Sequence, residues 1–230
     1  MRQNQKIRRM VMIALFCALS YVAMIVVHIK VSFLTMDVKD ALITLCGLYF
    51  GPFSTVFISV LVSFLELITI SETGLYGFLM NVIGSVAFAL TVALFYKWKK
   101  TLWNAVWGLA SGVLVMTAVM VLANLFITPY FLGTTMDAVR GLIPTLLLPF
   151  NLLKGVINAG LVLLIYKPLS RALRKIGVLE RKSAALGENG EVPRKSPLTG
   201  VLVTVAALAL IAGALVLILT VLGGRFGFGK

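Results

Sequence analysis

The chain has 230 residues, of which 60% are hydrophobic and only 13% are charged, and its mean hydropathy is +1.03. A soluble domain carries charge on roughly a quarter of its residues, so this composition excludes an ordinary soluble protein. Several apolar runs reach the ~20 residues that a spanning helix needs, and none alternates as the strands of an outer-membrane barrel do. The sequence therefore predicts an all-α integral membrane protein of about seven transmembrane helices.

Five transmembrane helices are predicted directly from the apolar runs, at residues 10–29, 76–96, 102–128, 142–166 and 198–222. Residues 41–70 are harder to interpret, because a single helix of that length would run ~45 Å and exceed the ~30 Å hydrocarbon core. Proline removes a helical donor and disfavours helix in the residue before it. We therefore expect Gly51-Pro52 to divide this stretch into two short helices.

The charges support this division. The net charge is +13, and the cations cluster just outside the apolar runs. If residues 41–70 form two spans, all three clusters fall on one side of the membrane, as the positive-inside rule requires. The N-terminus is then cytoplasmic, the C-terminus is outside, and lipid rather than nucleic acid is the expected partner. The clusters are Arg2, Lys6, Arg8 and Arg9; Lys97, Lys99 and Lys100; and Lys167, Arg171, Arg174, Lys175, Arg181 and Lys182.

The predicted organisation is a six-helix domain of residues 1–175, followed by three shorter segments. Residues 176–199 are a polar cytoplasmic linker, residues 200–222 an extra transmembrane helix, and residues 223–230 a short tail. Because the extra helix holds no polar residue beyond threonine, we interpret it as an added anchor without a site. Cys17 and Cys46 lie within apolar runs and lack metal-ligand spacing, so we predict that they pack in the interior and bind no metal.

Lys154 is the most informative polar residue. It lies near the middle of a predicted helix, where an ionised lysine costs roughly 2.5–3.5 kcal/mol. Asn151 and Asn158 share its helical face through i, i+3, i+7 spacing. Other polar residues at similar depth complete a predicted pocket that is open to the outside; they are Glu66, Asn81 and Asn124.

A structural interpretation stays open for these residues. Asparagine in membrane helices often only joins neighbouring helices, and Lys154 could pair with Glu66. His28 is predicted to be interfacial. A belt at the cytoplasmic boundary is predicted for Trp98, Trp103 and Trp107.

The chain contains no phosphate-binding loop, zinc-protease motif or Ser-His-acid combination, so we expect no catalytic residues, no cofactor and no enzymatic activity. No inverted repeat or series of proton-relay carboxylates marks a secondary transporter. A substrate-binding subunit without its own energy source is favoured. A self-sufficient secondary carrier and a membrane enzyme are the alternatives.

Several short motifs are shared with a known family. They are Ala14-x-x-x-Ala18, residues 36–40 (MDVKD), Gly51-Pro52, residues 73–81 (TGLYGFLMN), residues 124–129 (NLFITP), residues 148–158 (LPFNLLKGVIN) and Tyr166-Lys167-Pro168. Through them, over about residues 8–175, the chain resembles the substrate-binding S components of energy-coupling-factor (ECF) vitamin transporters, and among these the riboflavin-specific ones.

The resemblance implies a bacterial plasma-membrane protein that captures riboflavin from outside and delivers it inward when docked on a T component driven by two ATPase subunits. Riboflavin is then the substrate and not a cofactor; another vitamin or precursor is the alternative. The resemblance also implies a T-component contact through Ala14 and Ala18, with packing inside the bundle as the alternative. The implied substrate-binding residues are Asn124, Asn151 and Lys154, and less directly Asn81, Met36, Asp37 and Val38, to which Glu66 is added by its depth.

Aromatic residues near these positions are candidates for lining a pocket for the flavin ring. They are Phe126, Tyr130 and Phe150, and a lipid-facing position is the alternative for each.

Overall fold

The computed structural model describes residues 2–98, 101–178 and 197–226 of the chain. Its helices are α1 (Arg2–Val26), α2 (Lys39–Phe50), α3 (Pro52–Thr69), α4 (Gly74–Trp98), α5 (Leu102–Leu132), α6 (Met136–Leu142), a π-helical turn (Ile143–Leu147), α7 (Leu148–Lys175) and α8 (Pro197–Thr220). The strands β1 (Ile29–Val31), β2 (Leu34–Met36) and β3 (Arg225–Phe226) form a small antiparallel sheet in the order β2-β1-β3. The all-α membrane class is confirmed, and the small sheet is an addition to it.

Six helices in the described part of the chain are long and apolar enough to cross a membrane. Helix α2 is not among these six, because its 12 residues reach only ~18 Å. It is buried along almost its whole length and packs against α1, α3, α4 and α7. Because its neighbours surround it, α2 can carry polar residues that a lipid-facing helix could not.

The predicted break at Gly51-Pro52 is confirmed. Helix α2 ends at Phe50 and α3 begins at Pro52, and Gly51 between them has a φ of 95°. Glycine adopts this left-handed backbone without the steric cost that a Cβ brings. Proline then occupies the first position of α3, where its missing N–H has no helical partner to lose.

Several helix boundaries differ from the predicted ones, among them the ends of α1 and α7. Helix α1 ends at Val26 rather than at residue 29, because the chain turns there into the β1–β2 hairpin. Helix α7 continues to Lys175 rather than ending at residue 166. Hydropathy marks where the apolar run stops, whereas the helix continues through a basic last turn that suits the negative end of its dipole.

The members of the basic clusters that the structure describes lie at one end of the bundle. Arg9 donates a hydrogen bond to the carbonyl oxygen of Phe50 at the end of α2. The hydroxyls of Tyr96 and Tyr166 are hydrogen-bonded at 2.6 Å, which brings the C-terminal parts of α4 and α7 together at the same end. The hairpin lies at the opposite end, between the last residue of α1 and the first of α2.

Helix α8 packs against α7. Its buried Ala214 and Ile218 join an apolar cluster under the hairpin that includes Ile29, Met36 and Phe150. Its composition carried no sign of these contacts. Most of the predicted linker, residues 179–196, lies outside the described residues.

Cysteine burial is as predicted: Cys17 and Cys46 are buried and unpaired by a disulfide. The predicted belt residues lie on the outer surface; they are Trp98, Trp103 and Trp107.

Candidate substrate-binding site

A cavity lies beneath the β1–β2 hairpin. The hairpin and helices α2 to α5 and α7 contribute to its wall. Five of the predicted site residues line it: Glu66, Asn81, Asn124, Asn151 and Lys154.

A buried network of charges forms one side of the site. Asp37 Oδ2 accepts hydrogen bonds from Lys154 Nζ at 2.8 Å and Lys39 Nζ at 3.0 Å. Lys39 is completely buried, and its ammonium also donates to Glu66 Oε2 and Asn81 Oδ1, each at 3.2 Å. One lysine therefore joins the loop before α2 to α3 and α4.

The two neighbouring lysines explain how the loop tolerates the buried carboxylate of Asp37. Burial alone would raise its pKa, but the neighbouring cations Lys154 and Lys39 outweigh burial and hold the pKa well below the usual range. The Lys154–Glu66 pair that was left open as an alternative is not present: Lys154 pairs with Asp37, and Glu66 pairs with Lys39. The helix rotations that decide these partners are fixed by packing and are not contained in spacing along the chain.

Asn158 serves the structure around the site rather than the cavity wall. Its Oδ1 accepts from the backbone N–H of Ala41 at 2.8 Å, and its Nδ2 donates to the carbonyl oxygens of Asp37 at 3.1 Å and Lys154 at 3.0 Å. The residues on the predicted shared face of α7 therefore have two different roles. Asn151 and Lys154 line the cavity, while Asn158 attaches the start of α2 to α7.

Asn124 and Asn151 are buried at the cavity wall and are oriented by their own helices. Asn124 Nδ2 donates to the carbonyl oxygen of Met120 at 2.7 Å, and its Oδ1 accepts from Thr128 at 2.9 Å. Asn151 Nδ2 donates to the carbonyl oxygen of Leu147 at 2.7 Å. Within the described part of the chain, Asn151 Oδ1 has no protein donor, so it can accept from a ligand.

Ser85 lines the cavity and was missed as a site residue, and Asp40, the last residue of the MDVKD motif, lines it as well. Asp40 is buried, and its Oδ1 accepts a hydrogen bond from the Ser85 hydroxyl. Ser85 lies one helical turn after Asn81, so the i, i+4 relation to a predicted residue is the signal that could have found it. Thr128 stands in the same relation to Asn124 and also lines the cavity.

Other predicted residues lie away from the cavity wall. Met36 is fully buried in the apolar cluster under the hairpin, and Val38 packs against that cluster. Asp37 acts through the two lysines that it holds. On α5, Phe126 and Tyr130 are 58% and 78% exposed on the outer surface of the bundle. His28 is half-buried and its Nδ1 has no hydrogen-bond partner among the described residues.

Aromatic and sulfur-containing side chains form the apolar part of the wall. Phe33 in the hairpin and Phe150 on α7 line the cavity, together with Tyr76, Phe131, Met80 and Met120. Aromatic rings and thioethers pack well against a flat ring. The cavity therefore suits a ligand with a planar apolar body and polar edges, held by amide, carboxylate and ammonium groups on one side.

Comparison with known proteins agrees with this geometry. The family model described as "ECF transporter, substrate-specific component" matches residues 8–166. The chain is 25% identical over 185 residues to the Riboflavin transporter RibU of Staphylococcus aureus (strain TCH60), a match that covers 76% of this chain and 96% of that protein.

A solved structure, described as the S component of a bacterial ECF transporter, superposes with a TM-score of 0.64 at 25% identity. The superposition covers 74% of this chain and 99% of that one. The family match spans well over half of the chain and includes every helix that lines the cavity. The chain belongs to the substrate-specific components of ECF transporters.

Proposed function

We propose that this protein binds riboflavin in the cavity beneath the hairpin and delivers it inward as the S component of an ATP-driven ECF transporter. The observation that carries the proposal is the union in one cavity of Lys154, Asn151 and Asn124 with aromatic and methionine walls. The relation to a riboflavin transporter of S. aureus supports the choice of vitamin.

The chemistry of a flavin fits these groups. An ammonium has three donors, and Lys154 uses two of them on Thr35 O and Asp37 Oδ2, which leaves one for a ring carbonyl. Asn151 Oδ1 accepts from a ring N–H or a hydroxyl. Asp40 engages Ser85 through Oδ1 only, within the described residues, so Oδ2 can accept from a ribityl hydroxyl.

Riboflavin binding is tested by titrating the detergent-purified protein and following quenching of flavin fluorescence, with thiamine and biotin as competitors. Riboflavin alone should be bound, and Lys154→Ala and Asn151→Ala should each weaken it on the order of 10–100-fold, because a buried hydrogen bond to the ligand is lost. Arg140→Ala, which removes an exposed ion pair on α6, is the control. Unchanged affinity in both cavity variants would contradict the assignment of these residues.

The orientation proposed for the protein puts the N-terminus in the cytoplasm and the cavity outside. It rests on the positive-inside rule, since the described members of the basic clusters share the end opposite the hairpin. The exposed Ser32 and Lys175 mark the two ends, and Cys17 and Cys46 are buried and give little background labelling. A membrane-impermeant maleimide should label Ser32→Cys in intact cells and Lys175→Cys only after lysis. The reverse pattern would invert the orientation.

The proposed partners are a T component and two ATPase subunits, docked through α1. Ala14 and Ala18 are exposed one turn apart on this helix, and small residues let another helix approach closely. Ala14→Trp should abolish complex assembly and uptake while leaving riboflavin binding intact. Leu208→Trp, an exposed position on α8, should leave all three unchanged. Uptake in cells that lack the T component and ATPases would instead identify a self-sufficient carrier.

A further inference from the structure

The β1–β2 hairpin forms one side of the cavity. Phe33, Leu34 and Thr35 line the cavity, and the carbonyl oxygen of Thr35 accepts from Lys154 Nζ at 3.3 Å. The hairpin consists of two three-residue strands, and an isolated hairpin of this size is marginally stable at best. Its position over the cavity therefore depends on its contacts with other segments of the chain.

The C-terminal strand β3 completes the sheet on the outer side of the hairpin. It pairs with β1 through Ile29↔Phe226 and Lys30↔Arg225, which makes β1 the central strand. The ladder gives β1 backbone partners on both edges.

The end of α8 also holds the hairpin from below. Ala214 and Ile218 are buried in the same cluster as Ile29. The backbone N–H of Gly224 donates to the carbonyl oxygen of Ile218 at 3.0 Å. A Cβ at Gly224 would lie 2.9 Å from Ile218 Cγ2 and 3.1 Å from Ile29 Cγ2, so this close approach requires glycine.

Helix α8 is itself fixed on the helix that carries Asn151 and Lys154. A Cβ at Gly160 of α7 would lie 2.7 Å from Ile211 Cγ1 and 3.3 Å from the carbonyl oxygen of Ala207. An unbroken series of contacts therefore runs from α7 through α8 and β3 to the hairpin. Both α8 and β3 lie beyond residues 8–166, which the family model matches.

We propose that α8 and β3 act as a strap that holds the hairpin over the substrate cavity and slows release of the bound vitamin. The proposal rests on the function proposed above. The strap contributes no group to the ligand; its effect is on the rate at which the hairpin opens.

A pair of matched glycine variants tests the strap. Gly224→Ala introduces the crowded Cβ between α8 and β3, whereas Gly213→Ala, within α8, places a Cβ in open space. Gly224→Ala should speed riboflavin dissociation on the order of tenfold, measured by the return of flavin fluorescence after rapid dilution of the complex into flavin-free buffer, and Gly213→Ala should match the parent. Equal dissociation rates in all three proteins would overturn the proposal.

A crosslink tests the strap without loosening the fold. Lys30 and Arg225 are direct partners in the antiparallel pairing, so cysteines at both positions are within disulfide reach. In Lys30→Cys/Arg225→Cys, the oxidised form should release riboflavin on the order of tenfold more slowly than the reduced form. Lys30→Cys alone should respond to neither oxidant nor reductant. Identical release by the oxidised and reduced double variant would count against the strap.

A ligand-free measurement separates this proposal from the proposed function. Amide hydrogen exchange at residues 29–36 should be faster in Gly224→Ala than in Gly213→Ala with no vitamin present. If the parent protein binds no riboflavin, the proposed function fails, and the exchange difference still decides the strap. Equal exchange in the two variants would overturn the strap while leaving riboflavin binding untouched.

Discussion

The hairpin is held from two sides by contacts of opposite chemistry. On the α2 side the contacts are ionic and buried: Asp37 binds Lys39 and Lys154, and Lys39 continues to Glu66. On the α8 side the contacts are the β3 backbone ladder and apolar packing such as that of Ile218. The ionic side reaches the hairpin through Asp37, the residue after β2, and through the Thr35 carbonyl oxygen, whereas the α8 side reaches it through β1.

The difference separates two tasks. Charged contacts need every partner in place, because one missing member leaves a buried charge uncompensated. Since Lys154 and Glu66 also line the cavity, the ionic side links hairpin position to the groups available to a ligand. Removing part of an apolar contact lowers stability in proportion to the buried volume that is lost, and apolar side chains offer no polar group to a ligand. We therefore expect the α2 side to govern affinity and the α8 side to govern rates.

The largest expected effect is on the ionic side. Lys39→Met leaves Asp37 and Glu66 buried without their shared cation, which should cost about 3–5 kcal/mol of stability. Lys30→Met is the matched control, because Lys30 also pairs with a glutamate but at the surface, where solvent screening leaves an ion pair little effect on stability. Thermal unfolding in one detergent measures both. Equal losses would remove the distinction between buried and exposed pairs.

A smaller loss is expected on the apolar side. Ile218 is fully buried, so Ile218→Ala should cost about 2 kcal/mol, near the lower end for core truncations because lipid or detergent tails can fill part of the gap. The neighbouring Leu217 is 47% exposed, and Leu217→Ala should change stability little. Unfolding temperatures of the two variants, compared with riboflavin dissociation constants, make the test. A large affinity change in Ile218→Ala would break the division of tasks.

The smallest effect is expected at Asn158, which holds the start of α2 without lining the cavity. Asn158→Leu removes the partners of the Ala41 N–H and the Asp37 carbonyl, at a cost of about 1–2 kcal/mol. Affinity for riboflavin should fall less than in Lys154→Ala, as judged by fluorescence titration of both variants. If Asn158→Leu weakened binding more, Asn158 would be a ligand contact.

Much of the bundle could be predicted from local rules. Apolar runs of sufficient length predicted the long helices, and Gly51-Pro52 predicted the division of residues 41–70 because glycine and proline act on the backbone directly. The energetic cost of a lysine at membrane depth correctly indicated that Lys154 faces the interior, where its side chain is only 11% exposed.

What escaped prediction depends on contacts between distant segments. Nothing in the sequence marked Lys39 as buried, because only the packing of α2 among four helices makes it a buried cation. The hairpin has no Asn-Gly or similar turn signal; its turn uses Ser32 with a φ of 55°, an uncommon choice outside glycine. The role proposed for α8 depends on its last turn and on β3, and the two residues of β3 are too few to show a strand pattern in the sequence.

The placement of α8 has a consequence for how such a protein can change over evolutionary time. Helix α8 packs on α7, and with α8 present Ala14 and Ala18 on α1 are still exposed. If α1 docks on the T component as proposed, a gene can gain a helix on the α7 flank and keep its existing coupling partner. Selection could then adjust how long the vitamin stays bound without any matching change in the proposed T component and ATPase subunits.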